Sequence, residues 1–327
     1  MTAPALWLMA TLAVAASVVH VAMWAAALWK LRQPTPSGAM PPLSVFKPLR
    51  AIDEGLYENL ASLMRQDYPC FEVIVGVADA SDPVLAVVRQ LRREFPRIPL
   101  QLAVGVAPTL ANPKVMNLLN MARHARHDWW LISDANVRLA PDYLRSIAAH
   151  TSDDRVGLVA NLIVGKGATR LGALLENLQL NTTLLPAIAA ADVFVGHPCV
   201  VGKSMLLRRQ ALQAIGGLYS LAPYLAEDYL MGRWIRETGY RVVMSSYLVA
   251  THNANWSLAR FWQRHLRWNQ LRRRVSPGIY ALEPLMNPAP LWLLVATLAD
   301  ASPWRWGALA AIAVRLTLDA ALLARLE

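Results

Sequence analysis

Residues 129–138 read WWLISDANVR, and the fold can be worked out from this stretch. The run from Trp129 to Ile132 is short, apolar and followed by polar residues, which is typical of a fully buried strand. It ends in Ser133 and Asp134, so the predicted strand carries a carboxylate at its carboxyl end. Ligands of open α/β sheets bind outside the carboxyl ends of the strands. We therefore expect Asp134 to lie at a binding site.

A second aspartate follows an earlier run in the same way. Residues 73–77 are apolar, and Asp79 follows two positions later. Either aspartate could simply cap a turn, which is a common role for Asp. Two buried strands that present aspartates at one edge favour a nucleotide-dependent enzyme. The matched placement therefore favours a functional role for the two aspartates over a turn cap.

Strands and helices alternate around both runs. The pattern predicts strands at 43–46, 73–77, 100–104, 129–133 and 156–164, and helices at 55–65, 83–94, 113–125 and 141–150. Such alternation predicts an α/β domain with a doubly wound, mostly parallel sheet. It stops near residue 165, after which helices are predicted at 171–188, 227–238 and 258–274, and a strand at 241–247.

The composition indicates contact with a membrane. Charged residues make up 17% of the chain, against about 25% in soluble domains. Residues 5–29 contain no Lys, Arg, Asp or Glu, and a bilayer span needs about 20 apolar residues. The basic start of a cleaved signal peptide is missing, which favours an uncleaved transmembrane anchor at 1–30 over a signal peptide. Lys30 and Arg32 follow, and positive charge there predicts that the main domain faces the cytoplasm.

Four further parts are predicted after the anchor. They are a proline-rich linker at 31–42, the α/β domain at 43–257, a basic interfacial helix at 258–283 and hydrophobic segments at 284–327. Arg315 and Asp319 lie one helical turn apart in the last part. They could pair inside a membrane bundle or mark a helix that lies in the interface. We expect one or two membrane-embedded segments there.

The net charge of +10 is concentrated in the basic helix. Its arginines are Arg260, Arg264, Arg267, Arg272, Arg273 and Arg274. One interpretation is an amphipathic helix on anionic lipid. Another is that Arg264 and Arg267 grip a leaving diphosphate while Trp268 packs nearby, and both can hold because different faces would be used. The apolar flanks argue against DNA, so we expect no nucleic acid partner.

Several polar residues could carry chemistry. Asp134 and Asn136 offer the oxygen ligands that Mg²⁺ or Mn²⁺ prefers. Lys114 could contact the phosphates of a donor or be a solvated lysine at a helix start. Glu227 and Asp228 open a predicted helix, where acids are favoured by the exposed N–H groups. The functional interpretation is that one of these two acids is a general base that takes the proton of a hydroxyl acceptor.

Other motifs are ruled out by spacing. The two cysteines, Cys70 and Cys199, form neither a disulfide framework nor a zinc motif, which favours a reduced, cytosol-facing domain. Residues 202–204 read GKS, like the end of a phosphate-binding P-loop. The position that needs the first glycine of that motif is His197, so the P-loop interpretation is rejected.

Taken in order, these pieces resemble family 2-type inverting glycosyltransferases with a GT-A fold, and more narrowly the ceramide glucosyltransferase branch. The string AEDY, followed by RHLRW, is the most specific part of the resemblance. The matching stretches are 44–60, 66–83, 112–118, 133–144, 202–209, 216–232 and 264–268. The resemblance covers about residues 43 to 290 and the amino-terminal anchor.

The resemblance implies a role for each of three aspartates. Asp79 is similar to the first, which holds the nucleotide, and Asp134 to the second, which is linked to a metal. Asp228 is similar to the third, the catalytic base, and Glu227 beside it is a weaker candidate. Many members have Asp-x-Asp at the second position, whereas this chain has Asn136 two residues on. That departure bears on how tightly a metal is held.

The resemblance also implies a diphosphate-binding motif and an activity. Arg264, Arg267 and Trp268 match the Q/RxxRW motif, which binds the diphosphate and helps to close the site. The implied activity is inverting transfer of a hexose from a UDP-sugar to a hydroxyl of a membrane lipid, with ceramide as the first choice. The composition suggests a bacterium, hence an inner-membrane protein.

Three alternative functions remain open. The acceptor could be a hopanoid or another lipid, with UDP-GlcNAc as donor, because those enzymes share much of the pattern. A processive polysaccharide synthase would want more membrane helices than the end of the chain supplies. An inactive scaffold that binds nucleotide sugars would not need all three aspartates.

Overall fold

A computed structural model of the protein describes residues 3–50, 52, 54–105, 111–299 and 303–326. The first two residues of the predicted anchor, and residues 300–302 and 327 of the predicted hydrophobic segments, lie outside this part. Within it, eight strands form one sheet. They are β1 (Leu43–Pro48), β2 (Phe71–Val77), β3 (Leu100–Val104), β4 (Trp129–Ser133), β5 (Val137–Arg138), β6 (Val156–Lys166), β7 (Ser204–Arg208) and β8 (Arg241–His252).

The strand order is β3-β2-β1-β4-β7-β6-β8-β5. The first four strands are parallel, and β6 is parallel to β8. β7 runs antiparallel to both of its neighbours, and β5 is antiparallel to β8. The predicted mostly parallel sheet is therefore confirmed. The antiparallel β7 was not predicted, and it brings a second chain segment to the carboxyl end of β4.

Fourteen α-helices lie within the described residues. They are α1 (Ala3–Leu31), α2 (Leu56–Met64), α3 (Val84–Glu94), α4 (Pro113–Ala122), α5 (Tyr143–Ala148), α6 (Leu171–Gln179), α7 (Leu185–Val195), α8 (Arg209–Ala214), α9 (Gly217–Leu221), α10 (Glu227–Glu237), α11 (Leu258–Val275), α12 (Pro277–Leu282), α13 (Pro288–Leu298) and α14 (Pro303–Leu326). A π-helical segment, Leu180–Leu184, joins α6 to α7.

Both faces of the sheet are covered, because side chains along a strand alternate between its two faces. On β4, Trp130 and Ile132 face one core, which contains residues of α4 and α7. Trp129 and Leu131 face the other core, which contains residues of α2, α3 and α5. The apolar run at 129–132 was predicted to be a fully buried strand, and a strand covered on both faces agrees with that prediction.

Three helical stretches among the described residues are long and apolar enough to cross a membrane. They are Pro4–Leu31, Leu171–Val195 and Pro303–Leu326, and α13 is a shorter apolar helix beside them. The first and last agree with the predicted hydrophobic segments, whereas Leu171–Val195 was predicted only as a helix. These helices characterise a membrane protein, while the boundaries of the five predicted parts stay predictions.

A polar cluster joins α14 to α1. Asp319 lies 3.2 Å from the Nε of Arg315, so the predicted pair forms along one face of α14. The other carboxylate oxygen of Asp319 lies 3.2 Å from His20 Nε2 and accepts a hydrogen bond from Trp24 Nε1 at 3.2 Å. Polar groups inside an apolar bundle are stable only when they satisfy each other. This cluster therefore fixes the position of α14 against the anchor helix.

Candidate active site

The candidate site begins where β4 ends. Because β7 is antiparallel to β4 and starts opposite its last residue, Ser133 pairs with Ser204. Lys203, just before β7, therefore lies beside Asp134, whose backbone N–H donates to the Lys203 carbonyl at 3.0 Å. The Lys203 ammonium lies 3.2 Å from Asp134 Oδ2 and donates to Asn136 Oδ1 at 3.0 Å. One buried lysine thus joins both predicted metal ligands.

A second lysine reaches the same carboxylate from α4. Asn112 caps this helix, since its Oδ1 accepts a hydrogen bond from the backbone N–H of Lys114 at 3.0 Å. The ammonium of Lys114 lies 3.1 Å from Asp134 Oδ1 and 3.2 Å from Glu227 Oε1. Each oxygen of Asp134 therefore has its own lysine, and Lys114 also ties β4 to the start of α10.

The charges of this cluster support one another. Burial opposes ionisation of Asp134, but Lys114 and Lys203 outweigh it and lower its pKa to about 2. Burial also opposes the charge of Lys114, but Asp134, Glu227 and Asp228 raise its pKa above the ordinary value. For Lys203 burial prevails over Asp134, and its pKa is lowered. At neutral pH Asp134 is therefore an anion, held between the side chains of Lys114 and Lys203.

A third lysine contacts the chain where β4 ends, at Ser133 and Asp134. Lys47 in β1 is fully buried and donates to Ser133 Oγ at 3.0 Å and to the Asp134 carbonyl at 2.9 Å. Burial lowers its pKa to about 7, although Asp134 acts in the opposite direction. Lys47 therefore positions the backbone that carries the carboxylate.

Asp228 lies in the first turn of α10, next to the cluster. Its Oδ2 accepts a hydrogen bond from the Gly202 N–H at 2.6 Å, and its Oδ1 accepts one from the Tyr229 N–H at 2.8 Å. Burial, and then the neighbouring charge of Glu227, raise the pKa of Asp228 to about 6, against the effect of Lys114. A carboxylate with a pKa near neutrality is suited to general base catalysis.

Glu227, the other acid of this pair, is engaged in structural contacts. It is buried, and besides Lys114 it accepts a hydrogen bond from Asn112 Nδ2 at 2.9 Å. Asp228 is the more exposed of the two. The geometry therefore favours Asp228 over Glu227 as the group that meets a substrate.

The RxxRW motif lies on α11, which packs against α6. Arg264 Nε lies 2.9 Å from Oε1 of the fully buried Glu176, and His265 Nε2 lies 2.9 Å from its other oxygen. The guanidinium of Arg264 stacks 4.1 Å from the ring centroid of Trp268. Asp134 is among the charges that act on Arg264, so this arginine faces the cluster. Arg267 is exposed and does not share these contacts.

Asp79 lies at the same sheet edge but outside the lysine cluster. It is exposed, and its Oδ1 accepts hydrogen bonds from the N–H and hydroxyl of Ser81 at 2.8 and 3.0 Å, which lower its pKa. β1 separates its strand from β4, which corresponds to about 10 Å across the sheet. The structure thus shows a turn residue at the expected edge, and nucleotide binding by Asp79 stays a prediction.

The residues predicted to hold a divalent cation fit it poorly. Mg²⁺ takes near-octahedral oxygen ligands at roughly 2.1 Å. An ion at that distance from Asn136 Oδ1 would lie within about 5 Å of the Lys203 ammonium, which is 3.0 Å from the same oxygen. Within the described residues, no group of three His, Cys, Asp or Glu side chains is placed to hold a metal. A bound ion would have to displace the Lys203 ammonium from Asp134 and Asn136.

Three functional candidates were missed from the sequence. Lys47 directly follows the strand predicted at 43–46, and Lys203 interrupts the apolar run at 199–207, so a charge next to apolar residues was the available signal. Lys203 was considered only as part of a rejected P-loop. Glu176, the partner of Arg264, lies within the helix predicted at 171–188, where its charge among apolar neighbours was a similar signal.

A mostly parallel sheet with carboxylates at its carboxyl edge agrees with the predicted GT-A fold. The chain belongs to glycosyl transferase family 21, whose family model matches residues 5–327. The resemblance drawn from the motifs is therefore confirmed at the level of the family.

Two curated relatives carry a more specific name. Ceramide glucosyltransferase 1 of Caenorhabditis elegans is 27% identical over 281 residues, which cover 85% of this chain and 60% of that protein. Ceramide glucosyltransferase 3 of the same organism is 28% identical over 259 residues, which cover 79% of this chain and 56% of that protein. The chain thus spans less than two thirds of the length of these relatives.

A solved structure shares the fold. It is a mannosyltransferase of Pyrobaculum calidifontis in complex with GDP-Man and Mn²⁺. The TM-score is 0.56 with 21% sequence identity, and the match covers 97% of this chain and 90% of that one. The GT-A prediction for the fold is therefore confirmed.

Proposed function

We propose that this protein is a membrane-bound inverting glycosyltransferase that moves a hexose from a UDP-sugar to the hydroxyl of a membrane lipid, with ceramide as the acceptor. The observation that carries the proposal is the position of Asp228, a carboxylate of raised pKa beside the Lys114–Asp134 pair at the ligand-binding edge of the sheet. The names of the two nematode relatives support ceramide and glucose.

Each residue then has a role in one displacement step. Asp228 takes the proton of the lipid hydroxyl as the hydroxyl oxygen bonds to the anomeric carbon of the sugar. The bond from that carbon to the diphosphate breaks, and UDP leaves with the electron pair. Lys114, Arg264 and Arg267 stabilise the negative charge on the leaving diphosphate, with Trp268 stacked on Arg264. Asp79 follows β2, on the far side of β1 from Asp134, and would hold the nucleoside there.

The outer face of α11 supports transfer at a bilayer surface. Trp262 and Leu266 lie one turn apart on this basic helix and are 69% and 50% exposed. Apolar side chains among arginines are typical of a helix that lies in the membrane interface. Such contact would bring the site down to the lipid hydroxyl. By the positive-inside rule the catalytic domain faces the cytoplasm, and we place the protein in a bacterial inner membrane.

A divalent cation, Mg²⁺ or Mn²⁺, stays a prediction for this chain. The Mn²⁺ bound by the similar mannosyltransferase supports it. The contacts of Lys203 with both Asp134 and Asn136 weigh against a tightly held ion. When bound, such an ion would neutralise charge on the diphosphate.

The test is to identify the product. Membranes that contain the protein are incubated with a panel of UDP-sugars and with ceramide, hopanoid and other lipid acceptors, and the products are identified by mass spectrometry. We expect one hexose in β linkage on ceramide. A product on another lipid would show that the acceptor is that lipid and not ceramide, and a polymer would favour a processive synthase. UDP-sugar binding with no product on any acceptor would indicate an inactive scaffold.

A further inference from the structure

The Lys203 ammonium contacts both of the residues that were predicted to hold a metal, Asp134 and Asn136. Its backbone is held by the pairing of β7 with β4 and by the hydrogen bond from Asp134 N–H to its carbonyl. Its side chain is 11% exposed, so most of it is packed against the protein. A cation held in this way is in place before any donor binds, which is what makes a fixed charge effective.

Lys203 has donor capacity to spare. An ammonium group carries three N–H donors. Among the described residues, the acceptors that lie at this group are Asp134 Oδ2 and Asn136 Oδ1. The side chains of Asp134 and Lys114 beside it are each 26% exposed, so the cluster opens to solvent on this side. The remaining donor is therefore available to an anionic ligand that enters there.

We propose that Lys203 binds the diphosphate of the donor and takes the charge-neutralising position of a divalent cation between Asp134 and that diphosphate. This inference rests on the proposed function, because it needs a nucleoside diphosphate donor. Asn136, where the wider pattern has a second aspartate, fits the same idea: a neutral amide oxygen accepts a hydrogen bond from Lys203 without adding the second negative charge that a metal would favour.

The consequence is donor binding that survives removal of metal. We would measure the affinity of the purified full chain for UDP by calorimetry, either with EDTA or with excess Mn²⁺. For the wild type we expect the two dissociation constants to agree within about threefold. Lys203→Met should lose about tenfold or more in EDTA, which is typical of a lost charge-assisted hydrogen bond. Lys203→Arg should keep most of the affinity, because the charge is retained.

A gain of metal binding distinguishes this role from a structural one. Without Lys203, Asp134 Oδ2 and Asn136 Oδ1 each lose their ammonium partner, while Lys114 stays on Asp134 Oδ1. Mn²⁺ should therefore bind Lys203→Met with UDP more tightly than it binds the wild type, as read by the Mn²⁺ paramagnetic resonance signal. Excess Mn²⁺ should then restore UDP affinity to the variant. Lys30→Met is the control, since the Lys30 side chain is 14% exposed, close to that of Lys203, and pairs with Asp192 at 2.6 Å away from the site.

Two outcomes would overturn the inference. If EDTA weakens UDP binding to the wild type by about tenfold or more, a metal is required and Lys203 does not replace it. If Lys203→Met behaves like Lys30→Met, Lys203 does not touch the diphosphate. Both of these results leave the proposed function intact. Wild-type protein that binds UDP under neither condition would contradict the proposed function as well.

Discussion

The Asp228 carboxylate is held by the backbone N–H of Gly202 at 2.6 Å. This contact joins the start of α10 to the turn before β7, so the group proposed as the base is positioned by the turn that also carries Lys203. The general base and Lys203 are therefore held by the same turn.

A methyl group at Gly202 should displace both Asp228 and Lys114. A Cβ there would lie 2.9 Å from Asp228 Oδ2 and 3.1 Å from Lys114 Nζ, so both side chains must shift. We expect Gly202→Ala to lower kcat/KM on the order of a hundredfold, as misplacement of catalytic groups does. Gly278→Ala is the matched control, because nothing lies within 4 Å of its Cβ position. Equal activity of the two variants would show that the contact is incidental.

The activity should depend on pH through Asp228. Its pKa is raised to about 6, and only the ionised form can accept a proton. As pH falls below about 6, kcat/KM should therefore fall, approaching tenfold per pH unit. Asp134 has a pKa of about 2 and stays ionised throughout this window. A profile of kcat/KM that is flat down to about pH 5 would contradict the assignment.

The buried Glu176 should hold the RxxRW motif in place. Its two oxygens pair with Arg264 and His265, and removing one partner of a buried ion pair is strongly destabilising. We expect Glu176→Gln to lower the melting temperature by several degrees and to weaken UDP binding by about fivefold, or roughly 1 kcal/mol.

Glu237→Gln is the control for this change, because Glu237 forms an exposed pair with Arg233 at 2.8 Å and such pairs contribute little. If Glu176→Gln binds UDP as the wild type does, Arg264 does not depend on Glu176 for its orientation.

The exposed apolar residues of α11 should affect transfer to the lipid acceptor and not the binding of UDP. Replacing Trp262 and Leu266 by Ser removes two side chains from the proposed lipid contact. We expect transfer to a lipid in vesicles to fall by about tenfold or more, while UDP affinity is unchanged. Activity on a short-chain acceptor in solution is the internal control. Loss of UDP affinity would show that these residues support the donor site instead.

Much of this site could be predicted because its residues lie at element boundaries. Asp134 follows a buried strand and Asp228 opens a helix, and both positions are visible in local sequence. Lys203 could not be predicted, since its contact with Asp134 depends on the antiparallel register of β7, which links distant parts of the chain. The contact of Arg264 with Glu176 illustrates the same limit, because it depends on how α11 packs against α6.

The most direct test of the account is the turnover of Asp228→Asn with a UDP-sugar and ceramide. Asn is close in shape, and its one oxygen can still accept the hydrogen bond from the Gly202 N–H, while the bond from the Tyr229 N–H is lost. We expect the variant to fold and to bind UDP. Without a base, kcat should fall by about a thousandfold, while Asp154→Asn, at an exposed carboxylate, keeps wild-type turnover. Near-normal turnover of Asp228→Asn would contradict the account.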